Sequence, residues 1–591
     1  MISHAKKKLL VRFFEGAVLI VLVVMAAYVS MGRILINTVD RYSEDIEEIL
    51  SSSLNIPVSI ERFEGTWTYL NPKFKIIKLK IGADSESMIG LENLILEVDT
   101  LASIGKLKFV ISGIEISGLS LTSVQENTGK WVIRGLPTGD AKINVNPILD
   151  ALVHLEKVNL ENVQIDVLGE NIAYRLNSIP DDPFELGLED DLKTLSWPLA
   201  LSNLNVPAED FSQIHLLGQY RGDPRSPGFE SELFFNLPSI DIGDFLPELN
   251  FKETKLKNVF VRGQFWLASN DAGHQLTGVP IIESFIVSSE AQGDVKLLEN
   301  FEIEFLLSGL LGEGGLLQLN KLEGDIGGER WILSDIAMAY KRSDEGMELG
   351  VHIPSLSVRQ FAQTILQIET RLQVFNPDLV PAIQQLNFQG DVENLYLHTL
   401  LSKVQKMSLN ANLSDISIDQ YKESLSISRF DGFIKLSQDS GYLDIHNENY
   451  YEINYSALFP QSWTFDSTHG RVNYEYEEDV LTITSGLIEV RKGDLLAKSR
   501  FQLNFPDNVL NHTWGLELGV RNSPLLESSR YLPYTLSSEL TSWLKEAIIG
   551  GMGEMSGMVF HGSLNKQAEK NEKAFDIFLE VKDTIFEYDS R

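Results

Sequence analysis

The chain has 591 residues, with 50 lysine and arginine residues, 83 aspartate and glutamate residues, and no cysteine. Its net charge of -33 opposes binding to a phosphate backbone, so no nucleic acid partner is expected. The lack of cysteine excludes disulfides, thiolate zinc sites, iron–sulfur clusters and cysteine nucleophiles. With 43% hydrophobic residues, the composition is typical of a folded chain, and it excludes a disordered tail or a polytopic membrane protein.

Residues 16–36 are the segment that can form a transmembrane helix. Residues 16–32 carry no charge, which meets the lower end of the roughly 17–25 residues that a bilayer requires. Basic residues precede this segment, so the positive-inside rule predicts a cytoplasmic tail over residues 1–15, a single-pass inner-membrane anchor and a periplasmic remainder. The anchor side chains that we expect to face lipid are Val18, Leu19, Ile20, Leu22 and Val23.

A cleaved signal peptide is the alternative interpretation of the same residues. Its basic start and apolar centre are both present, but the apolar stretch is longer than the roughly 7–15 residues of a signal peptide. A clear small-residue cleavage site is also missing, because Ala26 and Ala27 are followed by Tyr28. The pattern therefore favours an uncleaved anchor.

A short amphipathic helix is predicted over residues 37–55. Ile46, Ile49 and Leu50 fall on one stripe of such a helix, and Pro57 ends it. Beyond residue 56 the hydrophobic period changes from 3.6 to 2, which predicts β-strands. The strand candidates are 73–81, 91–98, 114–121, 158–168, 259–267, 302–307, 331–338, 392–398, 408–418, 430–436, 472–476, 481–490, 501–505, 514–520 and 575–581.

Helical spacing interrupts the strand pattern in two places, near residues 357–386 and near residues 536–549. Most strands alternate apolar and polar residues, as in the run from Val163 through Ile165 to Val167, which predicts one covered face and one wet face. No proline- or serine-rich linker divides the chain. We therefore expect one continuous sheet over residues 56–591, with a few short helices.

A weak internal repeat links residues 109–121 to residues 155–167. In both stretches a short apolar alternation leads into a small turn and then into a second alternation. This similarity is compatible with a repetitive antiparallel meander.

Motifs for catalysis and cofactor binding are not found. The ten histidines are too far apart for a local paired-histidine metal motif, and neither a phosphate-binding loop nor a nucleophile elbow occurs. Acidic pairs such as Asp181 and Asp182 lie in a proline-containing stretch that is typical of a solvated loop. The sequence therefore predicts a protein that is not an enzyme and that needs no cofactor and no metal.

Two stretches resemble the YhdP branch of the AsmA-like superfamily of envelope proteins. The first is the anchor and amphipathic helix followed by a Pro-Val pair, a Gly-x-Trp motif and a downstream proline, which also resembles the opening of chorein-type lipid transfer proteins. The second is the helix-and-strand block of residues 529–562. The residues that carry the resemblance are Asn55, Pro57, Val58, Gly65, Trp67, Asn71, Pro72, Phe74, Tyr531, Pro533, Leu540, Trp543, Leu544, Ala547, Gly550, Gly551, Gly557 and Gly562.

The resemblance implies a mainly β fold in which one transmembrane helix precedes an elongated, twisted antiparallel β-groove with an apolar lining. It also implies passive transport of glycerophospholipid from the inner toward the outer membrane. Proteins of this branch are usually about twice as long, so the resemblance predicts that this chain is an N-terminal part. The expected partners are inner-membrane lipids, phospholipid cargo, and proteins of the inner and outer membranes.

Seven residues are predicted to line the groove, and Trp67 and Phe74 are predicted to lie at its entry. The pattern around Trp67 fits an ordinary core residue equally well. The predicted lining residues are Ile114, Ile116, Leu119, Leu121, Val163, Ile165 and Val167. Two alternatives remain. Each apolar face could instead pack on a helix or on a second sheet. The chain could also be a TamB-like scaffold that assembles outer-membrane proteins or maintains the envelope without conducting lipid.

Overall fold

The computed structural model describes residues 19, 22–23, 26–30, 32, 39–54, 56–68, 71–82, 89–106, 110–126, 131–136, 153, 155–170, 172–189, 191–205, 212–246, 254–289, 293–310, 314–343, 346–372, 379–400, 403–422, 424–456, 459–531, 538–563 and 572–587. The chain forms two compact units. The first comprises Met1–Glu248 and Asn258–Glu283, and the second comprises Leu249–Lys257 and Ser284–Arg591.

The prediction of a mainly β fold is confirmed, because the described residues form a 32-stranded, mostly antiparallel sheet with few helices. The strands are β1 (Val58–Thr68), β2 (Asn71–Ile81), β3 (Ile89–Val98), β4 (Ile111–Ser117), β5 (Ser120–Gln125), β6 (Trp131–Ile133), β7 (Lys157–Glu161), β8 (Gln164–Leu168), β9 (Ala173–Ser178), β10 (Glu185–Glu189), β11 (Leu192–Asn203), β12 (Ser212–Arg221), β13 (Glu230–Asp241), β14 (Thr254–Asn270), β15 (Gly273–Ser289) and β16 (Gly293–Leu310). They continue with β17 (Gly314–Ile326), β18 (Glu329–Ser343), β19 (Gly346–Ser357), β20 (Gln389–Leu400), β21 (Lys403–Ile418), β22 (Ser426–Ser437), β23 (Ser440–Asn447), β24 (Tyr451–Asn454), β25 (Trp463–Phe465), β26 (Ser467–Glu477), β27 (Val480–Ser485), β28 (Ile488–Lys492), β29 (Leu495–Pro506), β30 (Thr513–Pro524), β31 (Ile548–Ser563) and β32 (Lys573–Phe586).

The helices lie near the positions that hydrophobic periodicity predicted. The α-helices are α1 (Ser43–Leu54), α2 (Thr100–Lys106), α3 (Val358–Leu372), α4 (Leu379–Leu386) and α5 (Ser538–Ala547). Short 3-10 helices occupy Val39–Tyr42, Gly243–Phe245, Val509–Asn511 and Leu525–Tyr531. Acidic residues Glu44 and Asp45 in the first turn of α1 favour its start through the helix dipole. The helix α2 is an element that the sequence analysis did not predict.

The predicted antiparallel pairing is wrong at two places in the first unit. Strand β4 pairs in parallel with β7, and β5 pairs in parallel with β8. The segments 114–121 and 158–168, each predicted as one strand, are also both broken by a bend. The bends fall at Gly118, with φ +69°, and at Asn162, with φ +51°, where the left-handed backbone turns the chain out of its extended path.

Two clusters of buried side chains form the core of the first unit. The first cluster contains Val58, Ile60, Phe63, Ile76, Leu79, Ile89 and Leu91, and the second contains Ile172, Tyr174, Leu199, Leu201 and Ile214. Ile46 and Leu50 of α1 pack against the first cluster. This end of the sheet is therefore covered by a helix, as an ordinary core would be.

The predicted anchor is described only in part. Residues 19, 22–23, 26–30 and 32 are helical, and Leu19, Leu22 and Val23 are 64%, 57% and 61% exposed. Val18, Ile20 and the predicted tail over residues 1–15 lie outside the described residues. Among the residues that are described, no helix is both long enough and apolar enough to cross a membrane.

Candidate functional site

A line of apolar side chains crosses the sheet of the second unit from strand to strand. Each member is the Cα partner of the next, so all of them lie on one face of the sheet. All members are apolar or aromatic except Gly441 and Gly562. We call this set the apolar row, and its members in order are Leu307, Leu317, Met338, Val351, Leu397, Leu409, Leu436, Gly441, Tyr474, Ile483, Leu503, Trp514 and Gly562.

The side chains of the apolar row are half-buried, whereas the same face is fully buried where a helix covers it. Helix α3 packs on strands β16, β18, β19 and β20. Near this helix Trp331 is 4% exposed and Ile336 is 6% exposed. Met338, two residues further along the same strand and outside this buried region, is only half-buried. The face is therefore core-like under α3 and partly open along the row.

A hydrogen bond fixes α3 on this face. The indole Nε1 of Trp331 donates to Thr364 Oγ1 at 2.8 Å, and both side chains are buried. Arg371 at the end of the helix donates to the carbonyl oxygen of Lys296 at 3.3 Å. The helix thus marks one limit of the open part of the face.

Local backbone irregularities keep the apolar side chains on this face. In β18, Trp331 and Leu333 face the same side, and Asp335 then adopts a left-handed φ of +57°. Leu333 pairs with Leu322 and Ile336 pairs with Leu319, and the register between β16 and β17 shifts by one residue between these two positions. Ile336 and Met338 therefore return to that side. Asn394 in β20 has a left-handed φ of +49° beside a similar register shift. Asparagine and aspartate adopt this conformation at the lowest cost among residues other than glycine.

The opposite face of the same strands is polar and carries ion pairs. Lys321 Nζ lies 3.1 Å from Glu302 Oε1 and 2.8 Å from Glu323 Oε2, and Arg330 also pairs with Glu323. Hydrogen bonds from Lys321 and Arg330 lower the pKa of Glu323 from its ordinary value. On this face His352 also stacks on Tyr396, with 4.3 Å between ring centroids. The two faces of this sheet therefore differ sharply in polarity.

The seven predicted lining residues all lie in strands β4, β5 and β8 or in the bends that precede β5 and β8. The structure brings Leu121 and Ile165 together as partners in neighbouring parallel strands. Ile116 and Leu119 pack against the first core cluster, and Val167 packs against the second. Val163 is only 1% exposed. Contact between these residues and lipid stays a prediction.

The predicted entry residues Trp67 and Phe74 lie on the first two strands. The Trp67 ring lies 5.4 Å from the ring of Tyr28 in the N-terminal helical segment. Phe74 stacks on Phe63 of the first core cluster, with 5.6 Å between ring centroids. Trp67 is thus adjacent to the predicted anchor, and Phe74 belongs to the surroundings of the core.

The first unit contains a cavity of about 400 Å³ around Lys193, lined by both charged and apolar residues. Lys193 is 8% exposed, donates to the carbonyl oxygen of Val153 at 2.7 Å, and lies 5.5 Å from the Tyr220 ring. Burial lowers the pKa of Lys193, and the nearby Glu156 carboxylate acts in the opposite direction. These contacts explain how the lysine is accommodated. Among the described residues, no three His, Asp or Glu side chains converge as metal ligands.

The sequence analysis missed the apolar row. Alternation in the strands of the second unit pointed to one apolar face, but register shifts between β16 and β17, at Glu304 and Phe305, and between β20 and β21, beside Asn394, hid which residues share it. In comparison with known proteins, the family model described as YhdP protein matches residues 1–591. No curated protein and no solved structure matches the chain.

Proposed function

The chain belongs to the YhdP family, and from this premise we propose that it carries glycerophospholipids on the apolar face of its sheet, from the inner toward the outer membrane. In this proposal residues 16–36 anchor the chain in the inner membrane, the N-terminus is cytoplasmic, and the bulk of the chain is periplasmic. The sheet acts as an elongated β-groove. The proposal contains no catalytic step.

The apolar row is the observation that carries the proposal. Exposing an acyl chain to water costs about 0.8 kcal/mol for each CH₂ group, so lipid moves through an aqueous space only if its chains stay covered. Neighbouring strands lie about 4.8 Å apart, so each member of the row is one such step from the next. An acyl chain on this face would exchange one apolar contact for another at each step.

The exposure of the row argues against the alternative that this face is simply a packed core. Side chains of the same face under α3 reach 4% and 6% exposure at Trp331 and Ile336, as core residues do. All row members except Gly562 are half-buried instead. A continuous line of half-buried apolar side chains suits a ligand that binds weakly and moves along the sheet.

The net charge of the chain also favours the passage of phospholipid over its storage. A net charge of -33 repels anionic head groups, so the phospholipid would be held mainly by its acyl chains. The residues that the structure describes form no site that supplies energy. Transport would therefore be passive or driven by partner proteins.

Photo-crosslinking from neighbouring positions of one strand tests the proposal. Leu397 belongs to the apolar row, whereas His398 is exposed on the opposite face. A photoreactive residue at Leu397 of the full membrane-bound chain should crosslink to phospholipid, and the same residue at His398 should not. Mass spectrometry of the crosslinked chain identifies the lipid.

Equal lipid labelling at both positions, or none at either, would overturn the conduit. A TamB-like scaffold predicts a different pattern, in which the chain crosslinks to a β-barrel assembly protein and its function does not depend on a charge in the row.

A further inference from the structure

Helix α2 exposes its apolar side chains and buries a polar one, which is the opposite of an ordinary surface helix. Leu101 and Ile104 are 68% and 62% exposed, whereas Thr100 is only 5% exposed. The backbone N–H of Thr100 donates to Asn71 Oδ1 at 3.2 Å, which turns this polar end of the helix toward the protein. A helix on a water-exposed surface normally buries its apolar residues and exposes its polar ones.

The orientation of α2 is held by hydrogen bonds at both of its sides. The backbone N–H of Ala102 donates to Asp99 Oδ1 at 2.9 Å, which caps the helix. The backbone N–H of Val110 donates to Ser103 Oγ at 2.9 Å, and the backbone N–H of Asp99 donates to the Val110 carbonyl at 2.8 Å. The outward direction of the two apolar side chains is therefore a fixed feature of the fold.

The N-terminal helical segment contacts α2 directly. The Tyr28 hydroxyl donates to Thr100 Oγ1 at 3.2 Å, and the Tyr28 ring meets Trp67 edge-on at an interplanar angle of 63°. Tyrosine and tryptophan concentrate at the level of lipid head groups in membrane proteins. This contact therefore places α2 beside the C-terminal half of the segment that we assign to the anchor.

We propose that α2 lies on the phospholipid bilayer that holds the anchor, with Leu101 and Ile104 inserted between the head groups and the acyl chains. Interfacial helices bury their apolar side chains about 5–10 Å deep at this boundary. The inference rests on the anchor assigned under the proposed function. It fixes the first strands of the sheet at the membrane surface, beside the place where lipid would leave the bilayer.

Fluorescence quenching by lipid tests this placement in the full chain. The protein has no cysteine, so Leu101→Cys, Ile104→Cys and Ile332→Cys each carry one environment-sensitive fluorophore. Ile332 is a matched control because it is 65% exposed and lies in the second unit. The labelled chains are reconstituted into phosphatidylethanolamine and phosphatidylglycerol vesicles whose acyl chains bear a nitroxide quencher.

Labels at residues 101 and 104 should lose most of their fluorescence, and the label at residue 332 should keep it. If the chain floats with the vesicles but the labels at 101 and 104 behave like the control, the placement of α2 is wrong while the anchor stands. If the chain does not float, the anchor fails and the placement fails with it. Efficient crosslinking between two copies through residue 101 would instead assign the patch to a second copy and overturn the proposal.

Discussion

Gly118 and Asn162 occupy equivalent positions in two adjacent copies of one strand–bend–strand motif. Both have left-handed backbone, with φ of +69° and +51°. Leu121 and Ile165, each three residues further along, pair with each other in parallel strands. The repeat seen weakly in the sequence is therefore real, but its copies lie side by side in parallel rather than as an antiparallel meander.

Substitutions at the two bends should differ in their effect on the free energy of unfolding. Gly118→Ala forces a Cβ into left-handed backbone and places it 2.3 Å from the Glu92 side chain, which should destabilise the first unit by about 1–3 kcal/mol. Asn162→Gly relieves the same conformation and should leave stability unchanged or slightly raised. Urea unfolding followed by tryptophan fluorescence checks both variants. Wild-type stability of Gly118→Ala would contradict the expectation.

A charge in the apolar row should abolish lipid binding, whereas a charge on the other face should not. Leu397→Asp places a carboxylate in the path of the acyl chains, and burying such a charge is expensive. His398→Asp is the matched control on the exposed face. Phospholipid that copurifies with the full chain, measured by mass spectrometry, should fall strongly for Leu397→Asp only.

The same experiment at Ile165 examines the lining that was predicted from the sequence. Ile165→Asp should block transport while leaving the fold largely intact, because Ile165 is only half-buried. The circular dichroism spectrum should stay that of a β protein. If transport and copurified lipid are both unaffected, Ile165 does not line the path.

Removing the hydroxyl that accepts the hydrogen bond of the Trp331 indole should destabilise the packing of α3 on the sheet. Thr364→Val keeps the shape of the side chain but leaves the buried Nε1 without its 2.8 Å partner, at a cost of about 1–3 kcal/mol. Ile332→Ala, on the exposed side of the same strand, should change the free energy of unfolding by no more than about 0.5 kcal/mol. Thermal unfolding of the two variants against the wild type makes the comparison. A similar midpoint for all three would contradict the role of the bond.

Tyr451 should make the protein less stable at alkaline pH. Burial raises its pKa above the ordinary value of 10.0, although the hydrogen bond with Thr468 acts in the opposite direction. The unfolded state therefore ionises first, so this contribution to stability is complete below pH 10.0 and is lost as the pH rises through the folded pKa. Tyr451→Phe should weaken this alkaline loss, and Tyr450→Phe, at an exposed residue, should not. Unfolding midpoints measured at several pH values above and below 10.0 separate the two outcomes.

The sequence by itself determined the class of the fold and the position of most of its helices. Alternation with period 2 marked the strands, and periodicity of 3.6 marked α3, α4 and α5, because these patterns are local consequences of backbone geometry. It also determined the acidic surface and carried the motifs of the YhdP family. It left α2 unseen, because a helix of seven residues has too few apolar positions to show a helical period.

Only the tertiary structure decided which side chains share a face and which strands are neighbours. The parallel pairing of Leu121 with Ile165 depends on contacts distant in sequence, so periodicity within one segment could not reveal it. The register shifts by one residue between β16 and β17, at Glu304 and Phe305, and between β20 and β21, beside the left-handed Asn394. Because side chains alternate with period 2, such a shift moves every following residue of that strand to the other face, so periodicity within one strand could not assign the apolar row.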